Sequence, residues 1–157
     1  MRLPITSGAD NTILRTISRP VKKMDAVLKK LIRDMRETMD IEDGIGIAAP
    51  QVGVNIRMAL AKLNPGTNHE NIIVMINPEI IKHAEEKEEH EEGCLSLRKK
   101  WGKVPRWTSL TVKYHNQKME SVALGLDGLN ARIIQHEIDH LDGKLFIDRV
   151  VGEVREE

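Results

Sequence analysis

Cysteine and aromatic residues are scarce in this 157-residue sequence, and neither sign of charge predominates. The single cysteine, Cys94, cannot form an internal disulfide, which fits a reducing compartment and argues against a disulfide-stabilised secreted domain. With 24 Lys and Arg against 24 Asp and Glu, no net positive field attracts nucleic acid or an anionic membrane surface. We therefore predict neither a DNA partner nor a membrane partner.

Long hydrophobic runs are also absent. No stretch approaches the ~20 apolar residues of a membrane-spanning helix, and the opening residues MRLPIT contain no apolar segment typical of a secretion signal. The sequence therefore predicts a cytoplasmic protein. Its length and its 40% of hydrophobic residues suffice for one compact domain over residues 1–157.

The most informative motif is HEIDH at residues 136–140. Histidines four residues apart lie on one face of a helix and can bind one metal ion. A helical wheel places Glu137 on the apolar side, where a carboxylate is costly unless a cation or a catalytic task accompanies it. The alternative is a pair of core histidines satisfied by hydrogen bonds. The pattern favours hydrolytic metal chemistry over that alternative.

A catalytic metal usually takes three protein ligands, so the histidine pair needs one more partner. Cys94 is the strongest candidate, because it follows a glycine that permits close backbone approach. A lone cysteine is more often a small buried hydrophobe, but the presence of two paired histidines favours a ligand. The tail after His140 contains no histidine. Its acidic candidates are Asp148, Glu153, Glu156 and Glu157.

A third segment, GIGIAAPQVG at residues 44–53, is rich in glycine. Its G-x-G-x-x-A spacing is similar to a dinucleotide-binding fingerprint, but that fingerprint needs a strand before it and a helix after it. Here an amphipathic helical pattern precedes the segment, and Pro50 falls where the following helix should run. The segment instead predicts a glycine-rich turn into a strand, whose backbone can approach a ligand chain closely.

Hydrophobic periodicity along the rest of the chain predicts an α+β fold. The predicted elements are a helix over residues 24–42, strands over residues 56–61, 72–76, 109–115 and 119–124, and the motif helix over residues 126–141. The acidic run at residues 85–92 predicts a solvated strand edge or loop. Strands in meander order followed by a buried helix indicate a single domain, with antiparallel or mixed β-sheets packed around the helix that carries the HExxH metal motif.

Three segments in this order resemble the peptide deformylase family. The resemblance rests on GIGIAAPQ at residues 44–51, EGCLS at residues 92–96 and QHEIDH at residues 135–140, and it extends over nearly the whole chain. It implies a hydrolase of protein biosynthesis that removes formyl from the N-terminal formylmethionine of new polypeptides and releases formate. It also implies one divalent metal ion, with Fe2+ as the native ion and Zn2+, Ni2+ or Co2+ able to replace it. The implied ligands are Cys94, His136 and His140.

Chemistry and the resemblance together assign catalytic roles. Glu137 directly follows a candidate ligand and can reach metal-bound water, so it is expected to take a proton from that water and hand it to the leaving amine. The resemblance implies the donors for the oxyanion. The Gln51 side-chain amide and the Leu95 backbone N–H are expected to stabilise the oxyanion that develops on the formyl oxygen.

Substrate binding is implied along the glycine-rich segment, where the peptide would add as a strand against Ile45 and Gly46. The methionine pocket is expected to be apolar. Its expected lining is Ile45, Ile133 and the stem of Arg132. Glu92 and Arg106 are expected to form a supporting ion pair beside the site.

The chain departs from the family pattern after residues 94–97, where the family commonly has proline and this chain has Arg98. This loop is expected to be either more mobile or shaped for another partner. Two other functions stay open at this point. One is a metallopeptidase that uses HEIDH and is indifferent to Cys94. The other is a non-catalytic module that contacts the ribosome through the basic residues 98–103.

Overall fold

The structure is a computed structural model that describes residues 1–157, and it contains three α-helices and eight strands. The helices are α1 (Thr12–Arg15), α2 (Ala26–Ile41) and α3 (Gly128–Leu141). The strands are β1 (Gly46–Ala48), β2 (Met58–Leu63), β3 (Asn71–His83), β4 (Lys87–Cys94), β5 (Leu97–Trp107), β6 (Ser109–His115), β7 (Ser121–Asp127) and β8 (Val151–Glu156). Short 3₁₀ turns cover Ala49–Val52 and Phe146–Asp148.

Two antiparallel sheets enclose the motif helix. The larger sheet has the strand order β1-β2-β3-β6-β7, and the smaller has the order β4-β5-β8. Helix α3 contacts strands of both sheets. The predicted α+β architecture around a buried motif helix is therefore confirmed.

Strand β2 explains how the larger sheet carries a helix on each face. Successive side chains of a strand point to opposite faces. Met58 and Leu60 join the core cluster that contains the buried side of α2, whereas Ala59 and Ala61 join the cluster that contains α3. Because alanine side chains are small, α3 can approach this face of the sheet closely.

The predicted elements form, with shifted ends. Helix α2 begins directly after Asp25, whose carboxylate accepts a hydrogen bond from the Leu28 N–H at 2.9 Å and caps the helix. Helix α3 begins at Gly128, later than predicted, because residues up to Asp127 still pair with β6. It ends before Gly143, which adopts a left-handed φ of 74°.

Strands β5 and β8 were not predicted from the sequence. Strand β5 is rich in lysine and arginine and contains Gly102 and Pro105, so it lacks the usual signal of a strand. Every residue of β8 is exposed, so no alternation of apolar side chains marks it. The acidic run forms β4, an edge strand of the smaller sheet, as expected.

No helix combines the length and the apolar character that crossing a bilayer requires.

Candidate metal centre

The Cys94 sulfur and the two motif imidazoles converge. Cys94 Sγ lies 3.4 Å from His140 Nε2, which in turn lies 3.3 Å from His136 Nε2. All three donor atoms lie within 4.8 Å of one another. The sulfur comes from the end of β4, and the two nitrogens come from one face of α3. The structure therefore brings together the three residues that the sequence singled out as candidate ligands.

This spacing fits a tetrahedrally coordinated cation. Metal–nitrogen bonds of about 2.05 Å and a metal–sulfur bond of about 2.3 Å place the donors about 3.3 Å apart for two nitrogens and about 3.6 Å apart for nitrogen and sulfur. Burial raises the pKa of the Cys94 thiol, but the charge of His140 and hydrogen bonds to both imidazoles outweigh burial and bring the pKa well below its ordinary value. The thiolate, which is the form that binds metal, is therefore favoured.

None of the acidic residues of the tail joins this cluster. Asp148 accepts a hydrogen bond from Arg15 at 2.6 Å. The other three lie on the exposed strand β8 or just beyond it. Cys94 is thus the candidate third ligand that the geometry supports.

Glu92 orients one of the imidazoles. Its Oε1 lies 2.9 Å from His136 Nδ1, which leaves Nε2 directed at the donor cluster. The Arg106 Nε and Nη2 donate to the two Glu92 oxygens at 2.9 and 2.8 Å, so the expected ion pair is confirmed. Burial would raise the pKa of Glu92, but hydrogen bonds from Arg106 and His136 hold it well below its usual range. Glu92 is therefore an anion beneath the site.

The same network extends along the far side of α3. Arg106 Nη1 also donates to Asp139 at 2.6 Å, and Arg149 donates to both Asp139 oxygens at 2.6 and 2.9 Å. Burial would raise the pKa of Asp139, but these two guanidinium groups lower it. The network fixes the helix that carries both histidines against β5 and the segment that precedes β8.

Glu137 lies between the donor cluster and the first strand. It is 4% exposed, and its Oε1 has no hydrogen-bond partner in the protein. Its carboxylate packs directly on the backbone of Gly46. Burial raises the pKa of Glu137, and the adjacent imidazoles only partly offset this. A buried carboxylate with a free oxygen is suited to proton transfer.

Gln51 is fixed beside the sulfur. Its Oε1 accepts a hydrogen bond from the Ala48 N–H at 2.9 Å, which orients the amide. Its Nε2 then lies 3.5 Å from Cys94 Sγ and 3.2 Å from Ser96 Oγ. The side-chain N–H donors therefore point toward the candidate ligand Cys94 and the hydroxyl of Ser96.

The candidate site residues line one cleft with a volume of about 700 Å³. It is lined by the predicted substrate residues and catalytic residues together, namely Ile45, Gly46, Ile133, Arg132, Gln51, Leu95 and Glu137, and by the ligand candidates Cys94 and His136. His140 is 1% exposed and is absent from the lining, so it lies below the floor.

Arg98 lines this cleft and also contacts the C-cap residue of α2. Arg98 Nη2 donates to Glu42 Oε2 at 2.6 Å. Glu42 follows α2 and precedes the glycine-rich segment, whereas Arg98 lies at the start of β5. Residues 97–107 form one continuous strand, so Arg98 lies in regular structure and not in a loop.

Two features, one beside the cleft and one in its wall, were not found from the sequence. Glu42 had no recognisable signal, since its pairing with Arg98 depends on the tertiary fold. Trp101 was not singled out from the sequence, yet its indole lines the cleft. An aromatic residue close after the Cys94 motif was the only available hint.

A motif helix enclosed by two antiparallel sheets, with a thiol and a carboxylate beside its histidines, defines an α+β protein with a candidate metal-binding site. The family described as Polypeptide deformylase matches residues 3–156. A curated peptide deformylase from Chlorobium phaeobacteroides (strain BS1) is 43% identical, covering 96% of this chain and 81% of that protein. The chain belongs to the peptide deformylase family.

Solved structures agree with this assignment. The crystal structure of peptide deformylase from Thermotoga maritima is 40% identical with a TM-score of 0.90, covering 97% of this chain and 99% of that one. A class I type b peptide deformylase from Acinetobacter baumannii, solved with Met-Ala-Ser bound, is 37% identical with a TM-score of 0.88, covering 96% of this chain and 99% of that one.

Proposed function

We propose that this deformylase acts on the N-formylmethionine of new polypeptides with one divalent metal ion held by Cys94, His136 and His140. Removal of the N-formyl group from nascent polypeptides is the activity of the family. The observation that carries the ligand assignment is the convergence of one sulfur and two imidazole nitrogens beside the Glu137 carboxylate.

The ion would supply Lewis acidity, which lowers the pKa of water towards ~7 and polarises a carbonyl oxygen. We propose Fe2+ as the native ion. A thiolate with two imidazoles also suits Zn2+, Ni2+ and Co2+, so the donor set alone leaves the metal open. Purification without oxygen, followed by elemental analysis of the active fraction, identifies the ion.

The protein's own groups perform the proton transfers. A formamide is a poor electrophile and its amine is a poor leaving group, so the reaction needs a base for water and an acid for nitrogen. Glu137 takes the proton from the attacking water and delivers it to the departing nitrogen. The Gln51 amide and the Leu95 backbone N–H stabilise the formyl oxygen as negative charge develops there. Loss of one such donor typically costs about 3 to 4 kcal/mol of activation free energy.

The peptide binds along the free edge of β1. This strand pairs only with β2, and the Lys62 N–H donates to the Ile45 carbonyl at 2.8 Å. Because antiparallel residues alternate in direction, Gly46 turns its own N–H and carbonyl away from β2. An extended peptide can add there as a further strand.

The methionine side chain occupies the apolar part of the cleft, beside Ile45 and Ile133. Arg132 contributes its aliphatic stem. Its guanidinium donates to Glu92 at 2.6 Å and to the Val104 carbonyl at 2.8 Å, so the charged end is engaged away from substrate.

A formate-release assay with formyl-Met-Ala-Ser tests the function. The account predicts one formate per peptide, no internal cleavage, and loss of activity in Cys94→Ser. Cleavage inside the chain, or full activity in Cys94→Ser, would instead support a metallopeptidase. The family match and the position of Cys94 among the donors argue against that alternative.

We also propose a cytoplasmic location, because the substrate is the newly made polypeptide. Contact with the ribosome stays a prediction. Within the basic residues 98–103, Arg98 pairs with Glu42 at 2.6 Å and Lys100 lies 3.6 Å from Glu156. These pairings leave less positive charge for ribosomal RNA than the sequence suggested. Co-sedimentation with ribosomes at low and high salt tests this contact.

A further inference from the structure

Trp101 is an exposed aromatic side chain in the wall of the catalytic cleft. It is 38% exposed and lines the same cavity as Cys94 and Glu137. Two other large apolar residues are exposed along this cavity, Ile45 at 43% and Leu129 at 52%. A group of exposed apolar side chains around one cleft is typical of a binding surface.

The indole ring is held in place by Gly93. A Cβ atom at Gly93 would lie 2.5 Å from Trp101 Cζ3 and 2.7 Å from Cε3, so the ring packs directly on the Gly93 backbone. Gly93 immediately precedes the candidate ligand Cys94. The Trp101 backbone pairs with Arg155 of β8, which supports the strand from its other side. The ring is therefore a fixed surface close to the reacting centre.

The cleft has room for more than formylmethionine. Its volume of about 700 Å³ lies within the range of sites that bury drug-sized ligands. Ile133 is 3% exposed and belongs to the buried part of the cleft, whereas Trp101 lies on a more open wall. The residues that follow methionine in a bound peptide must pass along such a wall.

Building on the proposed function, we infer that Trp101 is a specificity-determining residue that binds a bulky apolar side chain downstream of the formylmethionine. A flat indole face gains from contact with an aromatic or branched aliphatic side chain. Because side chains of an extended peptide alternate in direction, the preference falls on one of the two positions after methionine and not on both.

Peptides of the form formyl-Met-X-Ala and formyl-Met-Ala-X, with X as Phe, Leu or Gly, test this inference. The wild type should prefer Phe and Leu over Gly at one position by about 2- to 10-fold in kcat/KM, mainly through KM. In Trp101→Ala the Phe, Leu and Gly peptides should have the same kcat/KM, whatever the overall activity of that variant. Trp101→Phe should retain most of the preference. The control is Trp107→Phe, since Trp107 stacks on His83 outside this cleft.

Fluorescence provides a readout that does not depend on catalysis. In the Trp107→Phe background Trp101 is the sole tryptophan. Titration with the product Met-Phe-Ala or Met-Ala-Phe should change its emission, with tighter binding than the matching Gly peptide. An unchanged preference in Trp101→Ala, or emission that does not respond to product, would overturn the inference. Absence of formate release from every peptide, the Gly peptides included, would instead overturn the proposed function.

Discussion

The carboxylate of Glu137 packs on the Cα of Gly46, so that a Cβ atom at Gly46 would lie 2.8 Å from Glu137 Cδ. This contact joins the edge strand proposed to bind the peptide to the residue proposed to move protons. No side chain larger than hydrogen fits at Gly46 without displacing the carboxylate. The glycine is therefore needed for space, since its φ lies outside the left-handed region.

Replacing Gly46 with alanine should displace Glu137. We expect kcat to fall by about 100-fold, because a displacement of about 1 Å in a catalytic group has this effect. Overpacking should also lower the free energy of unfolding by about 1 to 3 kcal/mol. The matched control is Gly125→Ala in β7, where a Cβ meets nothing within 4 Å. Equal kcat in the two variants would show that Gly46 does not position the carboxylate.

Replacing Glu137 with glutamine keeps the shape of the side chain and removes its basicity. Turnover should fall by about 10²- to 10⁴-fold, the range that general acid–base catalysis contributes. The metal content per chain should stay at the wild-type value, because Glu137 is outside the proposed ligand set. Steady-state formate release and elemental analysis on the same sample measure both quantities. Wild-type turnover with bound metal would remove Glu137 from the mechanism.

Replacing Glu92 with glutamine should lower both the free energy of unfolding and the metal affinity of the site. The substitution leaves Arg106 and Arg132 without their shared buried carboxylate, which typically costs about 3 to 5 kcal/mol of unfolding free energy. It also replaces the negatively charged acceptor beside His136 Nδ1 with a neutral amide, so metal affinity should fall by about 10- to 100-fold. Denaturant unfolding and competition with a chelator measure these effects.

The control for Glu92 is Glu91→Gln, in the same strand. Glu91 makes an exposed ion pair with Arg155, and exposed pairs contribute about 0 to 1 kcal/mol. Similar losses of stability in both variants would show that the buried network around Glu92 contributes no more to stability than an exposed ion pair.

The motif helix and its ligands could be predicted from sequence because their signals are local. The spacing of His136 and His140 requires only a helix, and the residues around it supply the apolar faces. Cys94 was reached by a different route, through the need for a third ligand and through the family motif that contains it. Cys94 lies 46 residues before His140, and their 3.4 Å contact depends on the tertiary fold, which no local pattern encodes.

The features that were missed depend on tertiary structure. Strand β5 contains mainly basic residues together with a glycine and a proline. Its strand conformation comes from its pairing with β4 on one side and β8 on the other. Glu42 and Arg98 are 56 residues apart in the sequence and meet only in the folded chain. Glu92 was correctly expected to pair with Arg106, although the acidic run to which it belongs is otherwise exposed.

X-ray absorption at the metal edge of the zinc-loaded protein tests the central assignment most directly. We expect one sulfur at about 2.3 Å and two imidazole nitrogens at about 2.0 to 2.1 Å from the metal, with the sulfur lost in Cys94→Ser. A wild-type spectrum with only nitrogen and oxygen neighbours would contradict it.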